Sequence, residues 1–178
     1  VKGKPYDLPY RESFRGGELA YDFAWVSYNV TRDNYLQLTT DSASDADGGC
    51  IAWKSYDKEE FFDFNTGKIA ITEAQKPVLM YSYYATPGKN FSMQVSAVKP
   101  DAATQVLQTI NFDTLQGVPG WRTEVIDLSD LKDNNWLYFC FHLANGGSET
   151  SMALDNINVL DGKDHDLSIS VSCPQSAN

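Results

Sequence analysis

Few residues of this chain are of types that do covalent chemistry, and none of them forms a known catalytic motif. Cys140 lies two residues before His142, so a strand would place both side chains on one face of a sheet. A packed thiol beside a hydrogen-bonded imidazole is a far commoner pair than a catalytic dyad, because a nucleophile needs a base held in position. The sequence has no Gly-x-Ser-x-Gly, no His-Glu-x-x-His and no phosphate-binding glycine loop.

Acidic side chains cluster in one short segment. Asp57, Glu59, Glu60 and Asp63 offer the kind of paired carboxylates that a glycosidase uses. Adjacent acids on a short charged segment usually belong to a solvated loop. We therefore predict that this segment is a loop and that the protein is not an enzyme.

A second acidic segment, Asp41-Ser-Ala-Ser-Asp-Ala-Asp-Gly-Gly49, carries hard oxygen donors of the kind that Ca²⁺ binds. It is not an EF-hand loop. Alignment of Asp45 and Asp47 with the third and fifth ligand positions puts Ala43 first and Lys54 in place of the bidentate acid. Asp-Gly turns without any metal are common, so a structural calcium and a metal-free turn are both open at this loop.

Aromatic residues near loop ends are the remaining signal for a ligand. A sugar stacks on a flat aromatic face while neighbouring acids and amides bond its hydroxyl groups. Most of the rings must fill the core of the fold. We expect Trp53 and Tyr56 to form the exposed pair, with Asp57 as the hydrogen-bonding acid, because Lys54 and Lys58 add further charge around them.

The elements that would position these residues are short apolar runs separated by Gly, Pro, Asn and Asp, with no sustained helical repeat. This pattern predicts an all-β sandwich. The first segment, Tyr6–Phe14, is predicted as an edge strand, because Pro9 cannot donate to a central ladder. Further strands are predicted at Trp25–Val30, Tyr35–Thr39, Cys50–Lys54, Lys68–Ile71, Val78–Tyr84, Phe91–Val98, Val106–Phe112, Thr123–Leu128, Leu137–Leu143 and Ala153–Leu160.

Size and charge narrow the function classes. The chain has 178 residues, which fits one domain with a core of its own. Its net charge of -10 argues against nucleic acid and against an anionic membrane surface, since both would repel it. No apolar run is long enough to cross a bilayer, so this segment is not expected to insert into a membrane.

The three cysteines do not suggest a metal site, because no Cys-x-x-Cys or Cys/His metal spacing occurs. Cys140 sits in the most apolar run, and Cys173 lies in the C-terminal tail. A Cys50–Cys140 bridge is one alternative. The other alternative, which we favour, is that Cys50 and Cys140 are two free thiols.

Several motifs, in their order along the chain, resemble the cleaved adhesin domain family. They are Leu8–Phe14 (LPYRESF), Asp45–Gly49 (DADGG), Ala74–Tyr84 (AQKPVLMYSYY), Trp121–Leu128 (WRTEVIDL) and Ala153–Ile157 (ALDNI). This family includes the haemagglutinin-adhesin modules of gingipains and MAM-like jelly rolls of bacterial surface proteins.

The resemblance implies a jelly-roll β-sandwich of two antiparallel sheets over residues 1–160. It also implies secretion to a bacterial cell surface and non-catalytic adhesion to a glycan or a host extracellular protein. The alternatives are a structural spacer in a multidomain surface protein and the accessory domain of a glycan-processing enzyme. Residues 161–178 are similar to a charged linker and the start of an immunoglobulin-like module, so neighbouring domains of the parent chain are expected partners; a further strand of the same sandwich at Leu167–Val171 is the alternative.

The resemblance also bears on calcium. Related jelly rolls hold a structural calcium between an acid after the Phe of the first strand, a loop acid and the Asp of the last strand. The matching positions here are Arg15, Asp45 or Asp47, and Asp155. Because Arg15 stands where an acid is usual, a guanidinium in place of the ion is the alternative, paired with Asp155.

Overall fold

The computed structural model of the chain describes residues 1–28, 37–55 and 59–162, with the backbone alone for residues 25–28. Eleven strands and two 3₁₀ turns, Arg15–Gly17 and Ser129–Leu131, make up its regular structure. The strands are β1 Tyr10–Glu12, β2 Ala24–Tyr28, β3 Gln37–Thr39, β4 Cys50–Ser55, β5 Glu59–Asn65, β6 Pro77–Ala85, β7 Phe91–Val98, β8 Thr104–Asn111, β9 Gly120–Asp127, β10 Tyr138–Gly146 and β11 Thr150–Asp161.

The strands form two antiparallel sheets. A six-stranded sheet has the order β3-β4-β11-β6-β9, with β1 also pairing with β11. A five-stranded sheet has the order β2-β5-β10-β7-β8. Because neighbours within each sheet are distant in sequence, most connections cross from one sheet to the other. The predicted jelly-roll sandwich is confirmed.

Alternation along the strands builds the core between the sheets. In β6, Leu79, Tyr81 and Tyr83 are buried and Met80 and Tyr84 are partly exposed. The opposite sheet contributes inward rings from its two central strands, among them Phe62, Phe64, Phe139 and Phe141. Burying each such side chain stabilises the fold by about 1.5–3 kcal/mol before entropy is counted.

Glu59, Glu60 and Asp63 of the acidic segment lie in a strand and not in a loop, so that prediction is wrong for them, whereas Asp57 lies outside the described residues. β5 pairs with both β2 and β10. Its alternation explains the error, because Phe62 and Phe64 face the core while Glu59, Phe61 and Asp63 face out. The predicted strand Lys68–Ile71 contributes only isolated bridges at Ile69.

Cys50 on β4 and Cys140 on β10 are free thiols, as favoured. Cys173 lies outside the described residues. Within residues 1–28, 37–55 and 59–162, no helix has the length and apolar character that crossing a membrane requires. Residues 163–178 are also outside the described part, so the boundary near residue 160 stays a prediction.

Candidate functional site

Trp53 does not lie on a ligand face, and the expectation that its ring is exposed is wrong. Its side chain is 1% exposed. The ring packs edge-on against Phe62, with centroids 5.0 Å apart, and tilts against Phe91 at 5.4 Å. The physical reason is register, since Trp53 shares the inward face of β4 with Ile51. Tyr56 and Asp57, the other two predicted ligand residues, lie outside the described residues.

The structure instead presents an open cleft on the outward face of the five-stranded sheet, which we call the Phe61 cleft. It encloses about 460 Å³ near one end of β5, β10, β7 and β8. Its lining residues are Glu59, Glu60, Phe61, Asn90, Phe91, Ser92, Asn111, Asp113, His142, Ala144, Asn145 and Gly146.

Two cross-strand rows form the outward face beneath the cleft. One row runs Phe61, Ala144, Ser92, Asn111, and the next runs Asp63, His142, Gln94, Thr109. The small side chains in the middle of the first row leave room for a ligand between a ring at one end and an amide at the other. A ligand lying across the strands would therefore meet an apolar surface and hydrogen-bonding groups together.

The aromatic part of the cleft is a Phe61–His142 pair, with ring centroids 5.3 Å apart and planes inclined by 38°. The His142 Nδ1–H donates to Asp63 Oδ1 at 2.5 Å. This bond fixes the orientation of the imidazole and leaves Nε2 as its second polar atom. Phe61 and His142 are both partly exposed, as a stacking surface requires.

A buried polar network holds the wall of the cleft in place. Ser55 donates to the Glu60 carboxylate and accepts from the Asn145 amide, and all three side chains are nearly inaccessible. Asn145 also accepts from the N–H of Ser148 at 3.0 Å. Since buried polar groups are costly unless paired, this network fixes the turn after β10.

Gly146 lets the second wall approach. The Asn90 amide donates to the Gly146 carbonyl at 2.8 Å, and Gly146 N–H donates to the Asn90 carbonyl at 2.9 Å. A Cβ on Gly146 would lie 2.4 Å from Asn90 Nδ2. Only glycine therefore permits this contact, which positions Asn90 at the rim of the cleft.

The Cys140–His142 pair does not have the properties of a catalytic dyad. Burial and, to a smaller extent, the nearby Asp63 carboxylate raise the pKa of the Cys140 thiol to about 12. A reactive cysteine needs the opposite shift, because the thiolate is the nucleophile. Asp63 is hydrogen-bonded by His142 and Glu60 by Ser55, so neither of these two β5 acids is a free carboxylate.

A second polar cluster lies where the loop after β3 meets β11. Asp155 is fully buried and accepts from the N–H and the hydroxyl of Ser44, both at 2.7 Å, and from Asn156 N–H. Glu12, 1% exposed, accepts from the N–H groups of Phe14 and Ala20. Burial raises the pKa of both carboxyl groups.

The loop acids Asp45 and Asp47 lie at the edge of this cluster. Asp45 accepts from Asp47 N–H at 2.9 Å and from the Asn156 amide at 2.7 Å, and these bonds lower its pKa. Asp47 Oδ1 is buried without a hydrogen-bond partner. Among the described residues, no three His, Cys, Asp or Glu side chains stand close enough to share a metal ion.

Arg15 does not replace a metal here, so the predicted Arg15–Asp155 pair is wrong. Arg15 is exposed in the first 3₁₀ turn, and no ion pair joins it to Asp155. The reason is local, since the backbone N–H and hydroxyl of Ser44 already cover the Asp155 carboxylate.

Comparison with solved structures places the fold among adhesin and carbohydrate-binding modules. The K1 cleaved adhesin domain of Lys-gingipain from Porphyromonas gingivalis W83 aligns with a TM-score of 0.61 at 14% identity, over 85% of this chain and 97% of that one. A carbohydrate-binding module of the β-sandwich superfamily, described for promiscuous specificity, aligns with a TM-score of 0.61 at 15% identity, over 88% of this chain and 63% of that one. TmCBM61 in complex with β-1,4-galactotriose aligns with a TM-score of 0.61 at 8% identity, over 84% of this chain and 94% of that one.

These likenesses concern the fold. No family model and no curated protein sequence matches the chain. The predicted structural resemblance to cleaved adhesin domains is confirmed, and the chain shares the two-sheet architecture of these adhesin and carbohydrate-binding modules.

Proposed function

We propose that this chain is a non-catalytic extracellular module of a bacterial surface protein that binds a glycan in the Phe61 cleft. The observation that carries the proposal is the Phe61–His142 pair, partly exposed on two neighbouring strand rows of a cleft that Asn111 and Asp113 also line. The fold shared with a galactotriose-binding module supports the ligand class. The fold shared with a gingipain adhesin domain supports an extracellular location.

Binding would combine stacking with directed hydrogen bonds. The apolar face of a pyranose ring would lie on Phe61 and His142, and Ala144 leaves space for the neighbouring ring. Asn111, Ser92 and Asp113 would then bond sugar hydroxyl groups. Sugars present many hydroxyl donors, which suits a cleft lined by carboxylates and amides.

A glycan-binding screen followed by titration calorimetry tests this function. Phe61→Ala removes a stacking surface worth about 1–2 kcal/mol, so we expect affinity for the best glycan to fall about five- to thirtyfold. Val118→Ala is the matched control, because Val118 is 79% exposed and is not among the lining residues. Unchanged affinity in Phe61→Ala would reject the cleft, and a wild-type protein that binds no glycan would favour the structural spacer.

We also propose a structural calcium at Asp155, Asp45 and Asp47, as the family resemblance implies, with ion binding drawing together carboxylates that in this structure stand too far apart to share a metal ion. The chemistry of the donors fits, since all are hard oxygens, and the buried Asp47 Oδ1 is without a hydrogen-bond partner. Two buried carboxylates, Glu12 and Asp155, also repel each other, and no ion pair among the described residues compensates either. A cation there would relieve that repulsion and fix the loop to the last strand.

The calcium proposal is tested by thermal melting in excess Ca²⁺ and in EDTA. Calcium at a hundred times its dissociation constant stabilises by about 2.7 kcal/mol, or about 5–11 °C for a chain of this size. Asp155→Asn should abolish the difference, whereas Asp133→Asn, an exposed acid on the turn after Leu131, should keep it. Identical melting in Ca²⁺ and EDTA would reject the proposal.

A further inference from the structure

The outward face of the six-stranded sheet carries a separate recess, which we call the Tyr84 groove. It encloses about 360 Å³, close to the size of small ligand pockets. Its lining residues are Ser42, Ala52, Trp53, Lys54, Tyr84, Ser151, Met152 and Ala153. The side chains of Trp53 and Met152 are buried, so the accessible surface comes from the other residues.

Strand register explains why a groove forms there. Gln37 opposes Ala52, and Ala52 opposes Ala153, so small side chains occupy the row on β4 and β11. On the next two strands of the same row, Tyr84 opposes Trp121. With strands about 4.8 Å apart, the row from β3 to β9 spans about 19 Å. The small side chains of Ala52 and Ala153 therefore form the floor of the groove, and the rings of Tyr84 and Trp121 form its side wall.

The wall is well supported. The Tyr84 and Trp121 rings meet edge to face, with centroids 5.7 Å apart and planes at 85°. Both residues are partly exposed. This edge-to-face geometry is a favourable aromatic contact, so it restrains the orientation of the Tyr84 ring next to the alanine row.

The charges around the groove select the class of ligand. No Asp or Glu is among the lining residues, and Lys54 is the charged one. Lys54 lies 3.9 Å from Glu149 in a pair that is mostly exposed and therefore weak. A cationic ligand would meet Lys54, and an anionic ligand would meet the field of a chain with net charge -10. Ser42 and Ser151 offer hydroxyl groups, so a neutral polyhydroxylated ring matches both the apolar wall and the polar rim.

We propose that the Tyr84 groove is a second saccharide site, which takes a neutral pyranose ring stacked on Tyr84 and hydrogen-bonded by Ser42 and Ser151. This inference rests on the proposed function of the Phe61 cleft. Because the two recesses lie on opposite sheets, one module can hold two separate glycan chains. The module is then bivalent and cross-links polysaccharide.

The test is calorimetric stoichiometry with three neutral oligosaccharides, namely β-1,4-galactotriose, xylotriose and cellotriose. The wild type should bind two molecules of the best one. Phe61→Ala and Tyr84→Ala should each weaken one site about five- to thirtyfold, and the double variant should weaken both. Ser151→Tyr, which fills the groove from an exposed position, should act like Tyr84→Ala if the latter folds poorly. Tyr138→Ala, a partly exposed tyrosine outside both recesses, is the matched control.

The outcomes separate the two proposals. One bound molecule that Phe61→Ala abolishes and Tyr84→Ala leaves intact would overturn the second site and keep the first. If the wild type binds one molecule and only Tyr84→Ala or Ser151→Tyr abolishes that binding, the groove is a saccharide site and the Phe61 cleft is rejected as one. No binding of any of the three oligosaccharides would overturn the neutral-saccharide assignment of the groove. Turbidity on mixing with a long neutral polysaccharide should appear for the wild type and vanish for each single variant.

Discussion

Replacement of Trp53 by alanine should unfold the protein at a much lower temperature without acting on a ligand directly. Trp53 is 1% exposed and contacts two further buried rings, Phe62 and Phe91. Those rings come from β5 and β7, so the indole joins the six-stranded sheet to two strands of the other sheet. Its loss leaves a cavity between the sheets that strands cannot easily close.

The expected cost follows from burial. Truncation of a buried aromatic side chain to alanine costs about 3–5 kcal/mol, which combines lost transfer energy with the cavity left behind. For a domain of 150–250 residues, each kcal/mol shifts the melting temperature by about 2–4 °C. We therefore expect Trp53→Ala to melt about 6–20 °C below the wild type.

Differential scanning calorimetry and urea unfolding measure this difference. Trp136→Ala is the matched control, because Trp136 is partly exposed, lines neither recess and should cost only about 1 kcal/mol. A destabilisation of 1 kcal/mol would lower the melting temperature by roughly 2 °C. If Trp53→Ala melts within about that interval of the wild type and also loses glycan affinity, the buried placement is refuted. That result would restore Trp53 as a ligand contact.

Three further predictions concern thiols, pH and the chain end. Burial raises the pKa of Cys50 to about 11 and that of Cys140 to about 12. Neither thiol should therefore react with iodoacetamide at pH 8 until the protein is unfolded. Rapid labelling of the native protein would contradict this. The hydroxyl and N–H of Ser129 lower the pKa of Asp127, so this carboxylate contributes stability above its unfolded pKa that is lost as pH falls through the folded one. The melting difference between wild type and Asp127→Ala should be constant from pH 7 to about 5, begin to shrink near the ordinary Asp value of about 3.9 and vanish only below the lowered pKa of the folded state, and a difference unchanged at pH 2 would disprove it. Deletion from residue 164 onward should leave the melting temperature almost unchanged, whereas a drop of several degrees would show that the segment belongs to the sandwich.

The sequence predicted the fold well because the core depends on alternation, which is a local property. The predicted strand Phe91–Val98 matches β7 at both ends. β5 was missed because charge was weighted above alternation. Its Glu59 and Asp63 are outward residues of a strand whose inward residues are Phe62 and Phe64.

The candidate sites were harder to predict, because they depend on which residues become neighbours across strands. Charged residues beside Trp53 suggested exposure, although its spacing from Ile51 gives the inward face. The Phe61–His142 pair joins positions that are 81 apart in the sequence numbering, and only the register of β5 with β10 brings them together. Alternation of Glu59, Phe61 and Asp63 was the available signal for that face.

A crystal structure of the protein with a bound neutral oligosaccharide tests the central claim most directly. We predict a sugar ring stacked on Phe61 and His142, with hydroxyl groups in hydrogen-bond contact with Asn111 or Asp113. Sugar bound only at the loop ends, with the outward face of the five-stranded sheet bare, would contradict it.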